Sequence, residues 1–245
     1  MGESYVNLSI KKRHRKIYRV FSFERLVQFF KTGQNILVQP QKWDDPFENL
    51  VLHAAYKSLL ADGDKSWAQS VLSAKDRLYG QCWSFREESD AMWRIYSPDK
   101  NGVKVRTTVE KLFDSLNNSA EGINKSCFIG AVKYLQGPSL RRRLKNPAWL
   151  VDEIASTASK AASLFLKRRE FEHEEEVRLV VLDGHGPTPE GFFRYTMKTI
   201  DFIDEIVLDP RMSDDLYGVY ESFLRREINY KGVVRHSSLY KVPDL

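Results

Sequence analysis

The chain has 245 residues, 42% of them hydrophobic and 29% charged, with a formal net charge of +5. This is the makeup of an ordinary globular protein with a sizeable core, and its 14 Phe, 11 Tyr and 5 Trp exclude global disorder. Two cysteines are too few for a disulfide framework or a cysteine zinc set, and no run of about 18 apolar residues is present, so no membrane span is expected.

The first ten residues are polar and lack an apolar signal core, so a reducing, cytoplasmic setting is expected. KIYRVF at 16–21 predicts a strand. Ser22 is placed to cap the helix after it, although Arg25 stands where a capping box has Glu. Phe23, Leu26, Val27, Phe29 and Phe30 give that helix an apolar side, and Gly33 is placed to end it. A second strand is expected over 35–38, stopped by Pro40. In WDDPFE at 43–48, Asp44 or Asp45 is expected to cap a helix with Pro46 in its first turn. Helices are expected over 50–60 and 66–78, then a strand over 79–85. A short helix from Ser89 and Asp90 carries Met92, Trp93 and Tyr96. A strand over 102–108, a helix over 109–116 and a strand over 127–135 follow, with a polar loop at 117–125. Residues 147–169 read as the longest helix, and 171–182 as a strand. Strands over 192–197, 205–208 and 232–239 and a helix over 214–227 complete the chain. With no internal repeat and no low-complexity linker, one α+β domain over 1–245 is expected, its helices grouped between strands.

The segment FEHEEEVRLVVL at 171–182 is the densest in charge. Val177, Leu179, Val180, Val181 and Leu182 make its second half a buried strand. Read as one strand, Glu174, Glu176 and Arg178 project from a single side, with His173 and Glu175 on the other. Two carboxylates and a guanidinium at the mouth of an apolar strand cost free energy unless paired or used. One reading is a structural ion-pair ladder. The other is chemical: a carboxylate near Arg178 stays ionised and can hold a hydroxyl or stabilise a cation developing on a sugar carbon.

Other constellations carry the same double reading. Tyr18 and Arg19 end the first strand either as a packed ring and a surface charge, or as a phosphate or ribose clamp. Trp83, Ser84 and Phe85 with Met92, Trp93 and Tyr96 are either core or a stacking floor for a nicotinamide or a base, with Ser84 at its rim. Basic runs at 11–16, 141–145 and 167–169 are either solvated ends or a phosphate-binding surface. Asp44 and Asp45 suit a cap better than a metal. The five His are scattered, and HxH, HExxH, Walker, GxGxxG and GxSxG patterns do not occur, so no metal site is expected.

Taken in order, Tyr18-Arg19, the run at 44–48, Cys82-Trp83-Ser84, Met92-Trp93 with Tyr96, Gly102, Glu174-x-Glu176-x-Arg178 and the run at 206–213 resemble a bacterial family of unknown function. Its signature reads YR…NDPFE…CFS…MWxxY…YEKEYR…IxxIxxGP, and the resemblance spans about residues 16–213. This chain departs from it at Asp44, Trp83, His173, Val177 and Asp209. A looser order is similar to the ADP-ribosyltransferase superfamily: a first-strand Arg, a helix ending in Gly, an aromatic-Ser step and a late Glu-x-Glu. That resemblance implies a mixed, largely antiparallel split sheet with flanking helices, and NAD as co-substrate. Arg19 with Tyr18 would bind NAD, and Ser84, Trp93 and Tyr96 would line the nicotinamide pocket. Glu176 would be the catalytic carboxylate, Glu174 would orient the acceptor, and Arg178 would support Glu176. It further implies transfer of ADP-ribose to nucleic acid or protein, a bacterial toxin or anti-phage role, and an antitoxin or immunity partner. Two alternatives stay open at the level of residues: a non-catalytic nucleic-acid-binding protein, and a metal-dependent nuclease using Asp45, Glu174 and Glu176.

Overall fold

The computed structural model describes residues 4–45, 47–119, 124–197 and 202–242. Pro46 and the middle of the 117–125 segment lie outside them. The strands are β1 (Tyr5–Val6), β2 (Lys16–Ser22), β3 (Gln34–Val38), β4 (Leu78–Ser84), β5 (Gly102–Thr108), β6 (Lys125–Ala131), β7 (Lys133–Leu135), β8 (Leu166–Arg168), β9 (Glu176–Asp183), β10 (Phe192–Thr196), β11 (Glu205–Leu208) and β12 (Val233–His236). The helices are α1 (Phe23–Thr32), α2 (Leu50–Ala61), α3 (Lys65–Asp76), α4 (Asp90–Tyr96), α5 (Val109–Asn117), α6 (Gly137–Leu144), α7 (Pro147–Asp152), α8 (Thr157–Ala162) and α9 (Asp214–Arg226).

The strands form a mixed sheet in the order β1-β6-β9-β4-β2-β5-β11-β12, with β10 and β3 set against β4 and a separate β7-β8 pair. It is mostly antiparallel; β1-β6, β11-β12 and β7-β8 are the parallel pairs among the described residues. The sheet is split. β2 pairs with β5 over seven positions and β4 with β9 over seven, yet β2 meets β4 only at Tyr18–Ser84. The α+β architecture with a split sheet and flanking helices is therefore the one expected.

Two apolar cores lie on opposite faces. Val177, Leu179 and Val181 point into a core with Ile17, Leu26, Val105 and Leu112. Val180 faces the other way, toward Val51, Leu52, Leu78, Phe128 and Phe165. Being buried on both faces, β9 needs no polar alternation, which is why its sequence shows an unbroken apolar run. Local signals fix the element ends. Ser22 Oγ accepts from Arg25 N at 3.4 Å, and Gly33, at φ 64°, closes α1 by donating to Phe29 O at 2.9 Å.

Three expectations are corrected. Residues 147–169 are not one helix: Ser156 caps a new start by accepting from Ser159 N at 3.0 Å, and the chain then leaves α8 through a 3-10 turn into β8. The strand expected over 171–182 begins only at Glu176, because Arg169–Glu174 is a 3-10 turn and Glu175 is left-handed at φ 44°. Asp45 does not cap α2; it turns back on Phe47 N at 2.9 Å, while Asn49 at φ 62° precedes the helix without a side-chain cap. Among the described residues no helix is long and apolar enough to cross a membrane.

Candidate functional site

The site lies at the split. Glu176, Ser84 and Tyr18 form one row across β9, β4 and β2, so their side chains share a face. Beyond that row the strands part around a cavity of about 140 Å³. Tyr18, Cys82, Glu174 and Glu176 line one part of it, and Met92 and Tyr96 on α4 another. Arg19, next to Tyr18, alternates toward the opposite face but also borders this cavity.

The carboxylate wall is an ion-pair cluster. Arg178 is 0% exposed. Its Nε and one terminal nitrogen donate to the two oxygens of Glu176 at 3.0 and 2.9 Å. Its two terminal nitrogens reach the oxygens of Glu48 at 2.7 Å each, and one also donates to Leu164 O at 2.6 Å. Its guanidinium lies 4.7 Å from the centre of the Trp43 ring. Lys167 Nζ lies 2.7 Å from Glu174, 3.3 Å from Glu176 and 3.6 Å from Glu48. Burial opposes charge on Glu176, but Arg178 and Lys167 outweigh it and hold the carboxyl below the usual carboxylate range. Burial also pulls Arg178 and Lys167 down, and their carboxylates more than reverse it, so both stay charged. The Cys82 thiol is pushed well up by burial and by Glu176, so it is a neutral donor beside that carboxylate.

Loop geometry fixes where the glutamates stand. Glu175 in the left-handed region breaks the chain between turn and strand, a conformation that costs about 1–3 kcal/mol in a non-glycine residue. It is held by Phe85 N donating to Glu175 O at 2.9 Å and by Arg86 on its carboxylate at 2.5 Å. Ser84 Oγ donates to Glu174 O at 2.5 Å and accepts from Arg86 N at 2.9 Å. Tyr134 OH accepts from Glu176 N at 2.8 Å.

Arg19 is different in kind. It is partly buried, and among the described residues no hydrogen bond or ion pair holds its guanidinium, which lies 5.6 Å from the centre of the Phe21 ring. Burial lowers its pKa to about 10, with a contribution from Arg25, so it remains a cation at neutral pH.

Of the residues expected at the site, Tyr18, Arg19, Ser84, Tyr96, Glu174 and Glu176 all line the cavity. Arg178 backs Glu176 from beneath. Trp93 does not take part: it is 0% exposed, packs with Val20, Met92 and Val207, and gives its indole N–H to Glu88 at 2.8 Å. Met92 and Tyr96, four apart on α4, share the face that Trp93 turns away from. Ser84 borders the cavity, but its hydroxyl is committed to the Glu174 turn. Glu174 is not on the strand; it reaches the cluster from the 3-10 turn. Asp45 pairs with Arg168 at 3.2 Å, and among the described residues no group of three or more His, Cys, Asp or Glu is placed to hold a metal.

Glu48, Lys167, Cys82 and Tyr134 were missed as site residues. Glu48 stands in the run at 43–48, just before the N-cap of α2; a buried Arg178 needing a second carboxylate was the signal. Lys167 directly follows Leu164, Phe165 and Leu166, a sign of burial rather than of a solvated basic run.

Residues 92–179 match the model of a family described as a protein of unknown function, DUF2971. The resemblance to an uncharacterised family stands over that stretch, which contains α4 from Met92 on, Lys167 and the Glu174–Arg178 segment. No curated protein matches the sequence. Among solved structures, DarT of Thermus sp. 2.9 in complex with NAD+ matches with a TM-score of 0.40 at 10% identity, over 91% of this chain and 95% of that one. The same protein with ADP-ribosylated ssDNA matches with a TM-score of 0.41 at 11% identity, over 91% and 94%.

Proposed function

We propose that the chain is an NAD-dependent ADP-ribosyltransferase, acting as one domain in the cytoplasm. One observation carries this reading: an ionised carboxylate, Glu176, and a guanidinium with no ion pair among the described residues, Arg19, border the same small cavity. NAD carries both complementary charges, a cationic nicotinamide ring and an anionic pyrophosphate. Arg19 takes the phosphate, to which its planar donors are suited. Tyr18 and Tyr96 flank the ring. As the nicotinamide–ribose bond lengthens, its electron pair leaves with nicotinamide and positive charge grows on the ribose carbon. Glu176, held ionised and fixed by Arg178, stabilises that charge. Glu174 orients the acceptor, a nucleic acid or a protein. The reading extends to a toxin or antiviral effector with an antitoxin or immunity partner, as the superfamily resemblance implies.

The test is incubation of the chain with labelled NAD and a mixed lysate, following NAD loss and the fate of the label on RNA, DNA, protein or free ADP-ribose. Glu176→Gln should slow NAD consumption by about 10²–10³-fold, the scale of one lost electrostatic stabiliser, while the variant stays folded. Consumption by that variant at the wild-type rate would remove Glu176 from the mechanism.

A further inference from the structure

Charge is not spread evenly over this chain. Its 38 Lys and Arg stand against 33 Asp and Glu, an excess of five. Residues 126–151 hold five Lys and Arg and no Asp or Glu, so this stretch carries the whole excess and the rest of the chain is balanced. Its second half folds into β7, α6 and α7. On α6, Leu140 is buried, and Leu144, four residues on, packs on the core that holds Leu150. Arg141, Arg142 and Arg143 are left outside, with Lys133 before the helix and Lys145 just past it, all five exposed. Among the described residues no ion pair or hydrogen bond holds any of these five side chains. Glu153, half-buried, feels Arg143 and Lys133 without bonding to either. The helix dipole accounts for little of the cluster, since a C-terminus amounts to about half a negative charge. Arg141 and Lys145 are like charges four apart, which weakens a helix. The cluster thus costs stability that an external anionic surface offsets.

The neighbouring surface says which anion. Pro147, Ala148 and Val151 share one face of α7, and all three are exposed, Val151 by 38%. Trp149 is half-buried, packed on the core, with the Arg143 guanidinium 5.7 Å from the centre of its ring. Exposed apolar side chains gain nothing from the phosphate backbone of a nucleic acid. Against a bilayer they enter the headgroup layer, while Arg and Lys pair with anionic lipid and Trp sits at the boundary. We infer that α6 and α7 form a peripheral docking surface for an anionic lipid bilayer. Lys133, Arg141, Arg142, Arg143 and Lys145 meet the headgroups, and the apolar face of α7 presses into the interface. This goes beyond the transferase reading, uses no residue of the cavity and does not depend on it.

Co-sedimentation of the full chain with phosphatidylcholine vesicles, with and without about 30% phosphatidylglycerol, tests it. The chain should pellet with the anionic vesicles, stay in solution with the neutral ones, and be released by high salt. Each Lys or Arg near such a surface contributes about fivefold in partitioning, so changing Arg141→Gln, Arg142→Gln and Arg143→Gln together should weaken binding about 10²-fold. Val151→Gln, which keeps every charge, should weaken it about three- to tenfold, an effect that a bare polyanion would not show. All four positions are exposed, and circular dichroism checks that each variant is folded. Equal binding to neutral and anionic vesicles, no pelleting at millimolar lipid, a folded triple variant that binds as before, or a folded Val151→Gln variant that binds as before would each overturn the inference. A single-stranded oligonucleotide bound more tightly than the vesicles, and lost in the arginine variant, would assign the patch to nucleic acid instead. NAD turnover enters no readout, so this inference and the transferase reading fail separately.

Discussion

Replacing Arg178 and replacing Glu176 should have unequal effects on stability, and the charge count of the cluster says which is worse. Glu48, Glu174 and Glu176 face Lys167 and Arg178, a net charge of minus one. Arg178→Met leaves three carboxylates around one ammonium and deletes five hydrogen bonds from a fully buried guanidinium. Removing one partner of a buried pair costs about 3–5 kcal/mol, because the other charge is left uncompensated. Glu176→Gln instead leaves two carboxylates and two cations in balance. It loses about one charge-assisted hydrogen bond, and relief of carboxylate repulsion holds the net cost to ~1–2 kcal/mol. For a chain of this size each kcal/mol moves Tm by about 2–4 °C, so Arg178→Met should fall by ~6–20 °C and Glu176→Gln by far less. Urea unfolding followed by circular dichroism, with m unchanged, gives both values. Equal losses, or a larger loss for Glu176→Gln, would refute the view that Arg178 is the keystone and Glu176 the replaceable member.

Two further outcomes follow from the same cluster. Because the Glu176 carboxyl is held below its ordinary 4.5 in the folded chain, its contribution to stability is present above that value and is lost as pH falls through the lower folded one. The stability gap between wild type and Glu176→Gln should therefore narrow below about pH 4.5; a constant gap from pH 7 to pH 3 contradicts it. Gly80→Ala should cost ~1–3 kcal/mol by overpacking, since a Cβ there would stand 2.8 Å from Trp43 Cζ2. The smaller ring of Trp43→Phe should recover part of that loss in the double variant, and strict additivity of the two changes would count against the contact.

Much of this was legible in the sequence because it is local. The Ser22 cap, the Gly33 stop and the unbroken apolar run of β9 each follow from residues within a few positions of one another. The row Glu176–Ser84–Tyr18 was legible only as a set of separate oddities, since it is made by pairing between strands far apart in the chain. What could not be read was partner choice. Arg178 takes Glu48, 130 residues away, and nothing near Glu48 announces it. Lys167 was hidden by its neighbours Arg168 and Arg169, which make a basic run look solvated although its first member is the buried one. Trp93 misled for the opposite reason: aromatic spacing on a short helix does not say which ring faces the cavity, and one residue of rotation separates Met92 from Trp93.

The split in the sheet accounts for the contrast between the two sides of the cavity. β9 is paired with β4 over seven positions, and the charges it carries, Glu176 and Arg178, are held against each other and against Glu48 and Lys167 within the protein. β2 is paired along one edge with β5, and its other edge meets β4 at a single residue pair. Arg19 stands just past that pair, and among the described residues no carboxylate forms an ion pair with it. The carboxylate wall thus needs no ligand to stay ionised, and among the described residues the guanidinium opposite has no ion pair to give up. An incoming anion meets a cation with no ion pair among the described residues, while Glu176 is already ionised before the cavity is filled.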